Sequence, residues 1–350
     1  MERQRRNLML RKLAQATLAL TAVGALVGVT ACSSGGGNGE GGGAGDAGIT
    51  IGYSGYTVSN PFFAGLLEGL ERGAEETGVT LITTNANGDP NQQVTDVENL
   101  ITQGVDYIAI NPADGKAIVP AVRAADAAGI PVIALADSIP SDLITFTVSQ
   151  NHVDAGKMAG EEIVSFLEDR YGEAKGNVVN IQGAAGSPAA IDRDKGFLEV
   201  MDAHPDVQVV ATADGGWDTA ISNEVMTDIL QAQPEIDAVF SGNGAEAVGV
   251  SRAIESAGRF APIGEDGHIF VIGIDGPKPA IENIRAGIQD AEISQQPIAM
   301  AEEAVRLIVK LHNGETVEGF VEWPSMLITP ANIDSDEVKE FGIWADEVDG

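Results

Sequence analysis

Residues 49–84 read ITIGYSGYTVSNPFFAGLLEGLERGAEETGVTLITT, and the succession of patterns in this stretch decides the fold. Ile49 to Tyr53 is a short apolar run containing β-branched and aromatic residues, the pattern of a buried strand. Phe63, Leu66, Leu67, Leu70 and Ala74 then recur at helical spacing and fall on one face. Thr80 to Thr84 is strand-like again. A strand, a crossover helix and a second strand predict a parallel pair covered by the helix.

The same alternation continues outward. Strand-like runs follow at 107–110, 131–135, 178–181, 207–211, 238–240 and 270–274. Val94, Val97, Leu100 and Ile101 share one helical face, as do Ile298, Ala301, Val305 and Ile308. Near-continuous apolar strands alternating with amphipathic helices predict an α/β protein whose parallel sheets are covered on both faces. The strands fall into two sets, so the expectation is two doubly wound parallel-sheet lobes. No tandem repeat of short period occurs, which argues against solenoids and propellers.

Open α/β sheets bind ligands beyond the carboxyl ends of their strands, so the residues there carry the functional reading. In the first half they are Ser59-Asn60-Pro61-Phe62-Phe63, Asn111-Pro112-Ala113-Asp114 and Ala136-Asp137-Ser138. In the second they are Gln182-Gly183-Ala184-Ala185-Gly186, Asp214-Gly215-Gly216-Trp217-Asp218, Gly242-Asn243-Gly244 and Asp275-Gly276. Amides, carboxylates and aromatics recur, with neither a metal shell nor a nucleophile among them, so neither metal nor cofactor is expected. Asn and Asp each bond vicinal hydroxyls, and an aromatic ring covers the C–H face of a sugar. The set suits a polyhydroxylated, uncharged solute. Asn60 before Pro61 also suits a helix N-cap, and Asn111 before Pro112 also suits a turn. One of Phe62 and Phe63 is expected in the cleft and the other in the core. Trp217, flanked by glycines, is expected to face the ligand.

The first 31 residues form a leader: Arg3, Arg5, Arg6, Arg11 and Lys12 precede an apolar stretch from Leu13 to Val29. The chain's single cysteine, Cys32, closes it in a run that resembles the lipobox of bacterial lipoproteins. That resemblance implies cleavage before Cys32 and acylation of its sulfur, with residues 32–47 a lipidated cysteine and a glycine-rich leash. Arg5 and Arg6 also resemble a twin-arginine signal, and the export route stays open. The remaining 319 residues carry 15 basic and 51 acidic side chains, a net charge of −36. Such a surface repels nucleic acid and anionic lipid and fits a saline habitat. One cysteine excludes a disulfide framework.

Enzyme signals are thin. Gly242-Asn243-Gly244-Ala245-Glu246-Ala247 mimics a dinucleotide fingerprint with alanine in place of its last glycine, but it lies late in an exported chain. No Gly-x-Ser-x-Gly elbow occurs, and no basic DNA-binding head replaces the leader.

Five motifs, in order and spacing, carry a family resemblance: Asn60-Pro61-Phe62-Phe63, Ile110-Asn111-Pro112, Gly129-Ile130-Pro131-Val132-Ile133, Arg193-Asp194-Lys195-Gly196-Phe197 and Gly273-Ile274-Asp275-Gly276. From about Gly48 to Ser335 the chain resembles the ribose-binding-protein-like group of type I periplasmic binding proteins, the substrate-binding lipoproteins of bacterial ABC sugar importers. The resemblance implies that Asn60, Phe62, Phe63 and Asn111 line one half of a cleft, with Asp137 beside them. It implies Arg193, Trp217, Asn243 and Asp275 on the other half, with Gln295 at a lobe crossing. Two departures stand out: ribose binders have Asp then Arg after the fourth strand, where this chain has Ala136 then Asp137, and Gly244 replaces a frequent Asp. Ribose itself is therefore in doubt, while another monosaccharide or a polyol fits.

The family's crossings imply a first lobe of 48–149 plus 296–323 and a second of 150–295 plus 324–350. The family resemblance and the lipobox together imply a monomeric binder, not an enzyme, held by its lipid at the outer face of the cytoplasmic membrane. It would capture a small neutral sugar or polyol by hinge closure and deliver it to an ABC permease. The alternative is a binding protein of the same fold that takes a nucleoside or signalling molecule, or that feeds a chemoreceptor.

Overall fold

A computed structural model describes residues 48–346. The leader, Cys32 and the glycine-rich leash lie outside the described residues. In chain order the first half holds β1 (Thr50–Gly55), α1 (Pro61–Thr77), β2 (Thr80–Asn85), α2 (Pro90–Gln103), β3 (Tyr107–Ile110), α3 (Val119–Ala127), β4 (Val132–Leu135) and β5 (Ile144–Ser149). The second holds α4 (His152–Tyr171), β6 (Gly176–Gln182), α5 (Pro188–Ala203), β7 (Val207–Asp214), α6 (Thr219–Ala232), β8 (Ala238–Ser241), α7 (Gly244–Ser256), β9 (Phe270–Asp275), α8 (Lys278–Ala286) and β10 (Ala291–Ser294). There follow α9 (Pro297–His312), β11 (Phe320–Glu322), β12 (Met326–Ile328), α10 (Asp336–Phe341) and a 3-10 turn at Trp344–Asp346.

The strands form two six-stranded sheets, ordered β11-β5-β4-β3-β1-β2 and β12-β10-β9-β8-β6-β7. Both follow one winding pattern, and every pair is parallel except β10 with β12. In the central strands β3, β4, β8 and β9 every residue is buried, as sheets covered on both faces require. The chain passes from the first sheet to the second after Ser149, returns after Gln295, and crosses again between Glu322 and Met326.

Local chemistry sets the helix ends. Asn60, Asp89 and Ser187 cap α1, α2 and α5, each followed by a proline at the first helical position. Gly78, at φ 74°, ends α1 in the left-handed conformation that glycine tolerates. Helices α4 and α5 touch backbone to backbone: a Cβ on Gly156 would collide with the Arg193 carbonyl, and one on Gly196 with the Val153 carbonyl. This close approach fixes α5, and with it Arg193, against the second sheet.

Each sheet has an apolar cluster on either face. In the first lobe Ile51, Leu66, Leu70, Ala301 and Val305 pack under α1 and α9, while Val97, Leu100, Ile108 and Val122 pack under α2 and α3. In the second, Phe197 and Phe240 stack under α4 and α5, while Met226, Val239 and Val250 pack under α6 and α7. The first of these clusters also takes in Ala189, Ala190 and Trp217 of the second lobe. The lobes therefore meet, and hydrogen bonds cross the seam from Asn60 Nδ2 to the Trp217 carbonyl (2.9 Å), from Ala189 N to Asp137 Oδ1 (2.7 Å) and from Gly115 N to the Gly186 carbonyl (3.3 Å). Among the described residues no helix is long and apolar enough to cross a membrane.

Candidate solute-binding cleft

The carboxyl ends of the parallel strands in both sheets point into the seam, and all ten residues singled out from the sequence sit there, none more than 9% exposed. Backbone strain collects in the same place. Four described non-glycine residues have positive φ, and three of them, Ala136 (64°), Trp217 (62°) and Asp275 (108°), follow or end strands β4, β7 and β9. Such conformations persist only where the surroundings hold them.

A continuous polar chain runs through the cleft. Gln295 Nε2 donates to Asp275 Oδ1 at 2.6 Å, and Arg193 Nη2 donates to the same oxygen at 2.9 Å. Arg193 Nη1 donates to the Gly242 carbonyl (2.8 Å) and its Nε to His152 Nδ1 (3.3 Å). His152 Nε2 lies 2.8 Å from the Ala136 carbonyl, which can only accept, so the proton sits on Nε2 and Nδ1 is the acceptor. Burial, and then the Arg193 charge, push the imidazole down to about 3, so it is neutral near pH 7. On the first-lobe side Asp137 Oδ1 accepts from Ala189 N, and Asn111 Nδ2 donates to the Leu135 carbonyl (3.1 Å) and approaches Asp137 Oδ2 (3.5 Å). Burial raises the Asp137 carboxyl to about 7, against the opposing pull of Arg193 and the Ala189 N–H.

The aromatic residues form a wall. Phe62 and Phe63 meet edge to face at 5.6 Å, and Tyr56 lies 4.9 Å from Phe63. Both phenylalanines are buried in the cluster that spans the seam. Trp217, expected to face the ligand, is also buried: it packs between the lobes, under the Arg193 guanidinium (5.5 Å) and flat against Gly183, where any Cβ would strike the indole. Its flanking glycines supply no packing partners; these come from Gly183 and Arg193 of its own lobe and from the apolar cluster of the facing one.

Asn60 and Asn243 serve the scaffold as well as the seam. Asn60 Oδ1 accepts from Phe62 N, and Asn243 Oδ1 accepts from Glu246 N in a capping box at the start of α7. The buried Glu246 also accepts from Trp217 N (2.8 Å), tying the loops after β7 and β8 together. Glu292 accepts from Gly276 N (3.0 Å) and from Gln289 Nε2 (2.7 Å), and burial raises it to about 8. Trp344 Nε1 donates to the Asp275 carbonyl at 2.8 Å and so bears on the strained residue from behind. His152, Glu246, Glu292 and Trp344 were not foreseen from the sequence. Where Asn60 and Trp217 meet, a groove of about 800 Å³ opens along the seam, bounded by Tyr56, Asn87, Asp218, Asn223 and Arg252. Among the described residues no cluster of His, Cys, Asp and Glu could hold a metal ion.

Two similarly wound lobes closed over buried amides, carboxylates and one arginine define a cleft-closing solute binder. A family model for the periplasmic binding protein domain matches residues 51–316, and the chain belongs to that family of solute-binding proteins, with the type I fold. The ribose import binding protein RbsB of Bacillus subtilis (strain 168) is 34% identical over 281 residues, 80% of this chain and 87% of that protein. A solved galactofuranose binding protein has a TM-score of 0.76 at 28% identity, covering 83% of this chain and 98% of that one. A solute binding protein of an ABC transporter from Bacillus halodurans C-125, solved with bound myo-inositol, also has a TM-score of 0.76 at 28% identity, covering 84% of this chain and 99% of that one.

Proposed function

We propose that this protein captures a neutral monosaccharide or polyol by closing its two lobes and hands it to the permease of an ABC importer. The supporting observation is that three of the buried amide oxygens without a hydrogen-bond donor among the described residues, Asn111 Oδ1, Gln150 Oε1 and Gln295 Oε1, belong to the strand ends and crossings at the seam. Buried acceptors of this kind are costly unless a donor arrives, and sugar hydroxyls are donors of suitable size. Asp275 and Arg193 add an acceptor and donors in the same cleft, while the Phe62, Phe63 and Trp217 rings suit the apolar face of a sugar ring. The ligands named for the relatives, ribose, galactofuranose and myo-inositol, share this chemistry.

In this reading lobes 48–149 with 296–323 and 150–295 with 324–350 rotate about the three crossings. Asn60, Phe62, Phe63 and Asn111 act from one side, and Arg193, Trp217, Asn243, Asp275 and Gln295 from the other. The protein works outside the cytoplasm as a monomer, tethered through acylated Cys32; radiolabelled palmitate should enter the native chain in cells and not Cys32→Ser. A thermal-shift panel of D-ribose, D-galactose, xylitol, myo-inositol and a nucleoside tests the function. A true ligand at a hundred times its dissociation constant adds about 2.7 kcal/mol of stability. A rise in Tm with a sugar or polyol is expected, and a panel that leaves Tm unmoved contradicts the proposal.

A further inference from the structure

Asp137 belongs to the first lobe, just past β4, yet its shortest hydrogen bond goes to the second. Its Oδ1 accepts from Ala189 N, the second residue of α5, at 2.7 Å. First-turn amides have no acceptor within their own helix, and the N-cap Ser187 Oγ reaches only Ala190 N, at 3.5 Å. Asp137 therefore completes the cap of α5 from across the cleft, its carboxylate at the positive end of that helix. No cation bonds it. Arg193 is committed to Asp275 and the Gly242 carbonyl, and His152 Nε2, 3.8 Å away, points its proton at the Ala136 carbonyl. Asp192 on α5 and Asp275 at the end of β9 add negative potential.

We propose that Asp137 is a positioning residue, a latch that holds the lobes closed by capping α5 across the cleft, rather than a clamp on the ligand's hydroxyls. The proposal rests on the reading of the seam as a closing solute cleft. It has a pH signature. In an open cleft the carboxyl is hydrated and titrates in the ordinary range, whereas in the closed one burial raises it to about 7. The closed state thus binds the extra proton. The protonated latch favours closure fully below the ordinary carboxylate range, and this contribution is lost as pH rises through 7. His152 titrates in the opposite sense, because its closed-state value is lowered. The quantity to read is therefore the ratio of native to Asp137→Asn affinity, in which the His152 contribution cancels.

The test uses full-length native chain, Asp137→Asn and Asp137→Ala, titrated calorimetrically with D-ribose, xylitol and myo-inositol at pH 6 and pH 8, together with hydrogen exchange at the Ala189 amide. The expected native-to-Asn affinity ratio falls about tenfold from pH 6 to pH 8. Asp137→Ala should bind roughly tenfold or more weakly at both values and lose protection at Ala189, since the acceptor that caps this amide is gone. A ratio that stays flat, or an Ala189 amide as protected in Asp137→Ala as in the native chain, overturns the latch. If none of the three probes binds the native chain, the functional reading fails on its own. Exchange at Ala189 in the unliganded proteins then decides the latch alone: faster in Asp137→Ala supports it, unchanged overturns it.

Discussion

Arg193 holds the second-lobe side of the cleft together through Asp275, Gly242 and His152. Removing one member of a buried ion pair strands the other. Arg193→Ala should cost about 3 kcal/mol of stability, read by denaturant unfolding, and should abolish sugar binding in calorimetry; unchanged unfolding contradicts the network. Trp217→Ala should lower affinity by about 2 kcal/mol. Residue types at strand ends were enough to single out Asp275, Asn111 and Trp217, because a parallel sheet presents its carboxyl ends to one crevice; Arg193, inside α5, was reached only through the family resemblance. His152 gave no such signal. It stands alone in sequence and acquires its role only because the first crossing carries it beneath Arg193. The burial of Trp217 was equally illegible, since its partners come from segments far away in the chain.

At the scale of elements, two devices set the geometry. The α4–α5 contact depends on Gly156 and Gly196, where any Cβ meets backbone. Gly196→Val should force the helices apart and cost about 3 kcal/mol, and because Arg193 rides on α5, ligand affinity should fall with it; a variant that keeps both wild-type Tm and affinity contradicts this. The second device is Glu292, which anchors the Gly276 amide from β10. Its carboxyl is raised to about 8 by burial. Its contribution is complete below the ordinary glutamate range and is lost as pH climbs through 8. Tm should fall between pH 6 and pH 9, and Glu292→Gln should flatten that fall. Eight strands were legible from apolar runs, to within three residues at each end. The four that were not are β5, diluted by threonines, β10, interrupted by Glu292, and the three-residue strands β11 and β12. Long-range pairing makes these segments strands, and periodicity within so few residues carries no signal.

At the largest scale the described residues form two copies of one winding pattern, joined by three crossings and sealed by a seam in which apolar rings and polar side chains are both buried. Alternation of strands and helices told of two lobes, while the closing of one lobe on the other is a property of the assembled fold alone. Closure strengthens each hydrogen bond in the seam by excluding water, so a ligand that supplies the missing donors shifts the population toward the closed form. The most direct test is a crystal structure of the protein with whichever sugar or polyol raises its Tm. The account predicts that ligand between the lobes, its hydroxyls on Asn111, Arg193, Asp275 and Gln295 and its ring against Trp217 or the Phe62–Phe63 pair. A ligand lying on one lobe alone, or outside the seam, would contradict it.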